Sequence, residues 1–182
     1  MRVISGSAGG IPLRTPSRGV RPTMDMVREA IFSSLGDMVI GARVLDLFAG
    51  SGAYGIEALS RGATEAVFVD KHPKSIEAIR FNLQRTRLDG RVIREDVFKY
   101  IQKVDQPFRL IFADPPYSRY SGDRNYALEI LQFKALSTAI DPGGILILER
   151  SPVTDETASC IWEVARSKKF GKTEVMFCVL RS

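Results

Sequence analysis

The sequence predicts an α/β fold: a mostly parallel sheet with helices on both faces, closed by an antiparallel hairpin. Three observations predict it. From Ala42 to Leu148, apolar strand-like runs alternate with stretches of helical periodicity. The first strand, Val44-Leu45-Asp46-Leu47, enters a glycine-rich turn in which Gly50, Gly52 and Gly55 satisfy G-x-G-x-x-G and open a helix. Beyond Trp162 the chain changes to two strand-like runs about Phe170-Gly171-Lys172-Thr173, the pattern of a hairpin.

The elements follow in order. Val3-Ile4 and Ile11-Pro12-Leu13 form a short hairpin with glycines between them. Thr23 or Asp25 caps a helix carrying Val27, Ala30, Ile31, Ser34 and Leu35. After the glycine turn, Ile56 to Arg61 is helical, and Glu65 to Asp70 is a strand ending in an acid. Pro73 opens the helical stretch Ser75 to Thr86, with Ile76, Ile79 and Leu83 at helical spacing. Arg91 to Arg94 is the third strand, and Val97 to Ile101 is helical. Leu110 to Ala113 is the fourth strand. A helix is expected over Tyr126 to Ala139, ending before Pro142-Gly143-Gly144, with Ile145 to Leu148 as the fifth strand. Trp162 to Arg166 and Glu174 to Leu180 make the closing hairpin.

Composition bounds the function. The chain has 182 residues, 45% of them hydrophobic, which suits one domain with a sizeable core. No apolar stretch nears the roughly 18 residues of a membrane span, and Ser5 to Gly10 is too small and polar for a signal-peptide core. A cytoplasmic protein is expected. Cys160 and Cys178 have no C-x-x-C spacing and read as small buried hydrophobes; with the single His72 they suggest no metal site. Net charge is +5, and Arg2, Arg14, Arg18 and Arg21 all precede the first acid, Asp25. Arg166, Lys168, Lys169 and Lys172 form a second basic group. Both suit a phosphate backbone, and both also suit an ordinary solvated surface.

Chemistry concentrates where strands end. Ligands of open parallel sheets sit beyond the carboxyl ends of the strands, and Asp46, Asp70, Asp96 and Asp114 all fall there. A carboxylate at Asp46 repels a pyrophosphate but favours an ammonium or sulfonium; it also reads as a turn or helix cap. Asp70, about twenty residues beyond the glycine turn, suits ribose hydroxyls or a helix N-terminus. Asp96 suits an adenine edge or an ordinary N-cap. Asp114-Pro115-Pro116-Tyr117 is the most telling segment. Two prolines fix φ and remove two donors, leaving stiffly held carbonyl acceptors beside an aromatic face. Such an array grips a flat base carrying an exocyclic NH2 group.

These residues resemble those of class I S-adenosylmethionine-dependent methyltransferases, and more narrowly the bacterial family that methylates a guanine N2 amine in 16S ribosomal RNA. The likeness runs along nearly the whole chain: Arg2 to Gly6, Arg21-Pro22-Thr23, Val27 to Phe32, Asp46 to Gly52, Asp114 to Tyr117 and Phe170 to Thr173. It implies a Rossmann-like fold with a seven-stranded sheet. It implies one domain over residues 1–182, with residues 1–40 as an RNA-contacting extension and 41–182 as the cofactor-binding core. Asp114, Pro115 and Tyr117 would be catalytic. Asp46, Phe48, Gly50, Gly52, Asp70 and Asp96 would bind S-adenosylmethionine, with S-adenosylhomocysteine as product and no metal. Arg14, Arg21, Thr23, Arg28 and Pro116 would contact RNA; Arg28 alternatively orders the N-terminal segment. The expected partner is 16S rRNA in the small subunit or an assembly intermediate, met by a monomer. Tyr54, in place of a smaller aliphatic residue, and Asp70, in place of Glu, depart from the pattern. Two other functions fit part of this: a DNA adenine or cytosine amino-methyltransferase, and a noncatalytic RNA-binding assembly factor. A dehydrogenase lacks a candidate acid or base for hydride transfer.

Overall fold

A computed structural model describes residues 1–16, 22–117, 123–151 and 161–181, with the side chains of Pro22 and Thr23 outside that description. The elements are α1 (Pro22–Leu35), β1 (Arg43–Leu47), α2 (Ala53–Ser60), β2 (Glu65–Asp70), α3 (Pro73–Thr86), β3 (Arg91–Arg94), α4 (Val97–Ile101), β4 (Phe108–Ala113), α5 (Tyr126–Gln132), β5 (Ile140–Arg150), β6 (Trp162–Phe170) and β7 (Thr173–Leu180). The seven strands form one sheet in the order β3-β2-β1-β4-β5-β7-β6. β1 to β5 run parallel, and β7 is antiparallel to both β5 and β6. The strand order reverses between β1 and β4, so the loops leaving these two strands open a crevice.

Alternation along the buried strands sorts side chains into two cores. Val44, Phe68, Leu110 and Phe112 face α1, α2 and α3, where they meet Ile31, Phe32, Ile56 and Ile79. Leu45, Val67, Ile111 and Ala113 face α4 and α5, with Ile101 and Ile130. β6 lies at the sheet edge, and its exposed Glu163, Arg166 and Lys169 suit an edge that must not pair with another chain.

Three expectations need correction. α1 begins at Pro22, so Thr23 and Asp25 lie inside the helix and neither caps it; Pro takes a first-turn position, where its missing N–H costs nothing. The helix expected over Tyr126 to Ala139 stops at Gln132. Phe133 leaves the helical region (φ −78°, ψ 98°), its ring meets Phe98 edge-on at 5.1 Å, and a short 3-10 turn covers Lys134–Ser137. The apolar spacing continues through the break, because a tighter helix presents almost the same face. The fifth strand starts at Ile140, before Pro142-Gly143-Gly144. Its register against β4 shifts between Phe108 and Leu110, which takes up the extra residues as a bulge.

The N-terminal hairpin closes through an Arg2–Pro12 bridge, with Val3 N donating to Ile11 O (2.9 Å) and Gly10 N to Val3 O (2.9 Å). Val3, Ala8 and Leu13 sit in the same core as Val44 and Phe112. Glu57 of α2 is wholly buried and receives Ile4 N (2.7 Å) and Ser5 N (3.1 Å). Gly6 passes so close to α2 that a Cβ there would lie 1.8 Å from the Ser60 carbonyl oxygen, at φ +85°. Gly6→Ala is therefore expected to cost about 2–4 kcal/mol through combined strain and overpacking. Urea unfolding checks this; a loss below 1 kcal/mol contradicts the close approach.

Candidate active site

β1 ends at Leu47 and the chain turns sharply. Phe48 has a positive φ of 55°, a strained conformation for a bulky residue. Its ring is pinned edge-on by Tyr126 (5.5 Å) and Phe98 (6.5 Å). The backbone then closes through Ala49 N to Val69 O (3.1 Å) and Gly52 N to Ala49 O (2.6 Å). Gly50 has φ +55°, and a Cβ built there would meet only the Phe48 carbonyl oxygen, at 3.8 Å. The loop thus turns an open backbone surface to the crevice. Gly55, the third glycine, serves packing: a Cβ there would strike the Phe68 ring at 2.3 Å.

A cavity of about 600 Å³ lies beyond the ends of β1, β4 and β5. Asp46, Phe48 and Gly50 line one part, and Asp114, Pro115, Pro116 and Tyr117 another. Glu149, Tyr54, Arg28 and the turn at Gly171 and Lys172 also line it. The two motifs singled out in the sequence therefore meet in one site. Tyr117 keeps its ring at the mouth, 38% exposed, with its hydroxyl 3.0 Å from Thr173 Oγ1.

The electrostatics are unusual for a surface cleft. Asp46, Asp114 and Glu149 are three carboxyl groups on one face of the sheet. Asp46 pairs in register with Phe112, and Asp114 and Glu149 follow directly on the Ala113–Leu148 pair. Asp46 is 2% exposed and its Oδ2 accepts from Gly55 N (2.9 Å). Burial pushes Asp46 well above the usual carboxylate range, with Asp114 and Asp70 adding repulsion. Burial lifts Asp114 to about 6 and Glu149 to about 8, the latter reinforced by Asp114. The Tyr54 hydroxyl donates to Glu149 Oε1, and its ring stacks on Phe112 at 5.2 Å. Among the described residues, nothing donates to the Asp114 carboxyl group.

The raised Glu149 value carries a stability prediction. Below about 4.5 the carboxyl is protonated in both the folded and unfolded chain; between 4.5 and 8 the unfolded chain ionises first. Stability is thus lost as pH rises through that window. Glu149→Gln is expected to flatten the fall in Tm between pH 5 and 8; parallel curves contradict this.

The remaining expected residues fall elsewhere. Asp70 ties two backbone amides, Gly50 N (2.9 Å) and His72 N (2.8 Å), and does not line the cavity. Asp96 caps α4, accepting from Phe98 N (3.1 Å) and Lys99 N (3.4 Å), and does not line it either. Gly52 packs against Phe68 and Ile79. Arg14 lies on the surface, ion-paired with Glu77 at 3.2 Å. Its backbone is held by buried Asn82, so the following Thr15 and Pro16 reach the cavity rim. Arg28 is a correction to the phosphate role. It is 2% exposed, donates to the Arg2 carbonyl and to Asp25 (3.0 Å), and lies 3.7 Å from Glu57. A guanidinium so enclosed cannot reach an RNA backbone, and its bond to Arg2 tethers the N-terminal segment instead. Arg18 and Arg21 lie outside the described residues, as do the Thr23 side chain and Cys160. Cys178 is buried, its thiol pushed up to about 12.

Glu149, Tyr54 and Asn82 were not foreseen as site residues. The strand-end rule that marks Asp46 and Asp114 also reaches Glu149, which directly follows Ile145 to Leu148.

The sequence matches the family described as "Conserved hypothetical protein 95" over residues 1–179. The chain belongs to this family. It is 42% identical over 147 residues to the "Putative rRNA methyltransferase YlbH" of Bacillus subtilis, covering 78% of this chain and 74% of that protein. It is 36% identical over 121 residues to "Ribosomal RNA small subunit methyltransferase D" of Escherichia coli K12, covering 65% of this chain and 61% of that protein. The solved structure of "Putative methyltransferase yhhF" from Escherichia coli superposes with a TM-score of 0.79 at 25% identity, over 100% of this chain and 98% of that one. The family's fold is that of class I methyltransferases: a seven-stranded sheet, parallel except for its C-terminal antiparallel strands.

Proposed function

We propose that the protein is an S-adenosylmethionine-dependent ribosomal RNA methyltransferase that modifies the exocyclic N2 amine of a guanine in 16S rRNA. The observation that carries this reading is the cavity itself. Buried Asp46 and Glu149 and half-buried Asp114 line it from one sheet face, and Asp114 has no donor among the described residues. Such a site is short of positive charge and of hydrogen-bond donors. A sulfonium cofactor and an amine-bearing base supply both. Relatives whose names state rRNA methylation support the polymer.

The open backbone at Gly50 and the acid at Asp46 fit the cofactor's cationic amino-acid end, with Phe48 completing that side; Gly52, packed on Phe68 and Ile79, would shape the loop. Asp70 and Asp96 would serve its ribose and adenine. When bound, S-adenosylmethionine supplies an electrophilic methyl group and leaves as S-adenosylhomocysteine. The rest falls to this chain. An aromatic amine is a poor nucleophile because its lone pair is delocalised into the ring. Asp114 and the Pro115 carbonyl accept its two hydrogens, draw the nitrogen towards tetrahedral geometry and aim the lone pair. The Asp114 carboxylate then holds the proton that the methylated nitrogen must lose. Tyr117 stacks on the base, and Pro116 stiffens the loop. Positioning and electrostatic complementarity supply the rate gain. A base inside a helix cannot reach this cleft, so the target is unpaired or flipped out.

Residues 1–40 form the RNA-contacting part, with Arg14 and Lys172 exposed beside the cavity rim. Arg21 and Thr23 are further candidates by resemblance. The enzyme acts as a cytoplasmic monomer on the small subunit or an assembly intermediate. The test is methyl transfer from labelled S-adenosylmethionine to small subunits from cells lacking the protein, with naked 16S RNA and DNA alongside. Label on the subunits supports the proposal. Label on DNA alone moves the substrate to DNA, and RNA binding without cofactor binding favours a noncatalytic assembly factor.

A further inference from the structure

We infer that Glu149 is a base-selecting residue: with Asp114 gripping the exocyclic amine, Glu149 Oε2 accepts the ring N1–H beside it and so admits guanine while rejecting adenine and cytosine. The inference rests on the guanine N2 reading above. Geometry places the two acids together. Ala113 and Leu148 are register partners on adjacent parallel strands, and Asp114 and Glu149 are the next residues of each. Phe112 and Ile147 face the core beneath α1, whereas Ala113 and Leu148 face the opposite core. By alternation Asp114 and Glu149 return to the α1 side, one strand spacing apart, and both line the cavity.

Glu149 is also held ready. Its Oε1 takes the Tyr54 hydroxyl, and the Tyr54 ring is fixed against Phe112 with planes 9° apart. Among the described residues no donor reaches Oε2. Glu149 is 7% exposed, so an unfilled Oε2 in a closed complex carries a desolvation penalty that a ligand donor removes.

The chemistry then selects the base. The N2 amine of guanine is flanked by N1–H, a donor. The N6 amine of adenine and the N4 amine of cytosine are flanked by ring nitrogens with lone pairs, which repel a carboxylate. In the empty site burial lifts Glu149 to about 8, so at neutral pH its protonated form can also donate to a ring-nitrogen lone pair, and selection is sharpest above that value, where only the acceptor form remains. A donor from the base favours the ionised acceptor form, and the proton leaves to solvent. Arg28, Tyr54 and Asp114 are the charged and titratable groups facing it.

The test uses small subunits reconstituted with guanine or 2-aminopurine at the position the wild-type enzyme modifies. 2-Aminopurine keeps the N2 amine but has a lone pair at N1. Above pH 8, where Glu149 is ionised, wild-type kcat/KM is expected to fall about 10- to 100-fold on 2-aminopurine, the effect of losing one hydrogen bond to a charged group. Glu149→Gln is expected to bring the two substrates within about threefold of each other, because an amide can turn either its oxygen or its NH2 to N1. A merely structural role lowers both substrates together and leaves the wild-type ratio intact. That unchanged ratio, or equal wild-type use of both bases, overturns the inference while the guanine N2 reading stands. Absence of N2 label on guanine from the wild-type enzyme overturns both.

Discussion

Asp114→Ala is expected to lower kcat by about 10²- to 10³-fold, the usual cost of removing one preorganised hydrogen-bonding group from a reacting centre. The loss should fall on kcat more than on binding. On the proposed reading the carboxyl would act mainly on the nitrogen as it becomes tetrahedral, whereas stacking on Tyr117 and contacts along the cleft would hold the RNA. Thermal stability should not fall, because no described residue donates to the Asp114 carboxyl and burial already raises it to about 6. Removing such a group relieves a desolvation cost. Asp114→Asn, which keeps one acceptor oxygen but cannot hold the proton, should lie between wild type and Ala. Steady-state kinetics with a melting curve checks this; an alanine variant with kcat within threefold of wild type contradicts the amine clamp.

Glu57→Ala is expected to lose about 3–5 kcal/mol of stability, the cost of breaking a buried charge network by removing one partner. Glu57 is wholly buried and serves four groups. It receives the amides of Ile4 and Ser5, Arg61 Nε binds Oε1 at 2.7 Å, and Arg28 Nε lies 3.7 Å from Oε2. The buried Arg28 Nε has no hydrogen-bond partner and only this nearby carboxylate, so the variant leaves the guanidinium with Asp25 as its one ion-pair partner among the described residues. For a chain of this size the loss corresponds to a Tm drop of about 6–20 °C. Hydrogen exchange should show the amides of Ile4 and Ser5 freed first. A Tm within 2 °C of wild type contradicts the tether. Activity should fall as well, because Met1, Thr15 and Pro16 of the same segment line the cavity.

Particular residues show what could be read from the sequence. β1, β2, β4 and the second half of β5 were legible because each is a short apolar run bounded by Gly, Pro or an acid, and buried strands need little else. The acids at strand ends were legible for a topological reason, since an open parallel sheet brings its carboxyl ends to one crevice. Three things were hidden. The break at Phe133 left no trace in the apolar spacing. Glu149 follows a run ending at Leu148 and looks like a surface acid until register with Asp114 turns it inward. Arg28 and Glu57 sit 29 residues apart in sequence and meet only in the fold, where α1 brings Arg28 Nε within 3.7 Å of Glu57 on α2. From sequence Arg28 reads either as a cation for RNA or as a residue ordering the N-terminal segment, and its burial and its bond to the Arg2 carbonyl favour the second.

The most direct measurement is nucleoside analysis of small-subunit RNA methylated by the purified protein with labelled S-adenosylmethionine. Label in N2-methylguanosine, absent with Asp114→Ala, is the expected result. Label in N6-methyladenosine or N4-methylcytosine contradicts the assignment of the base.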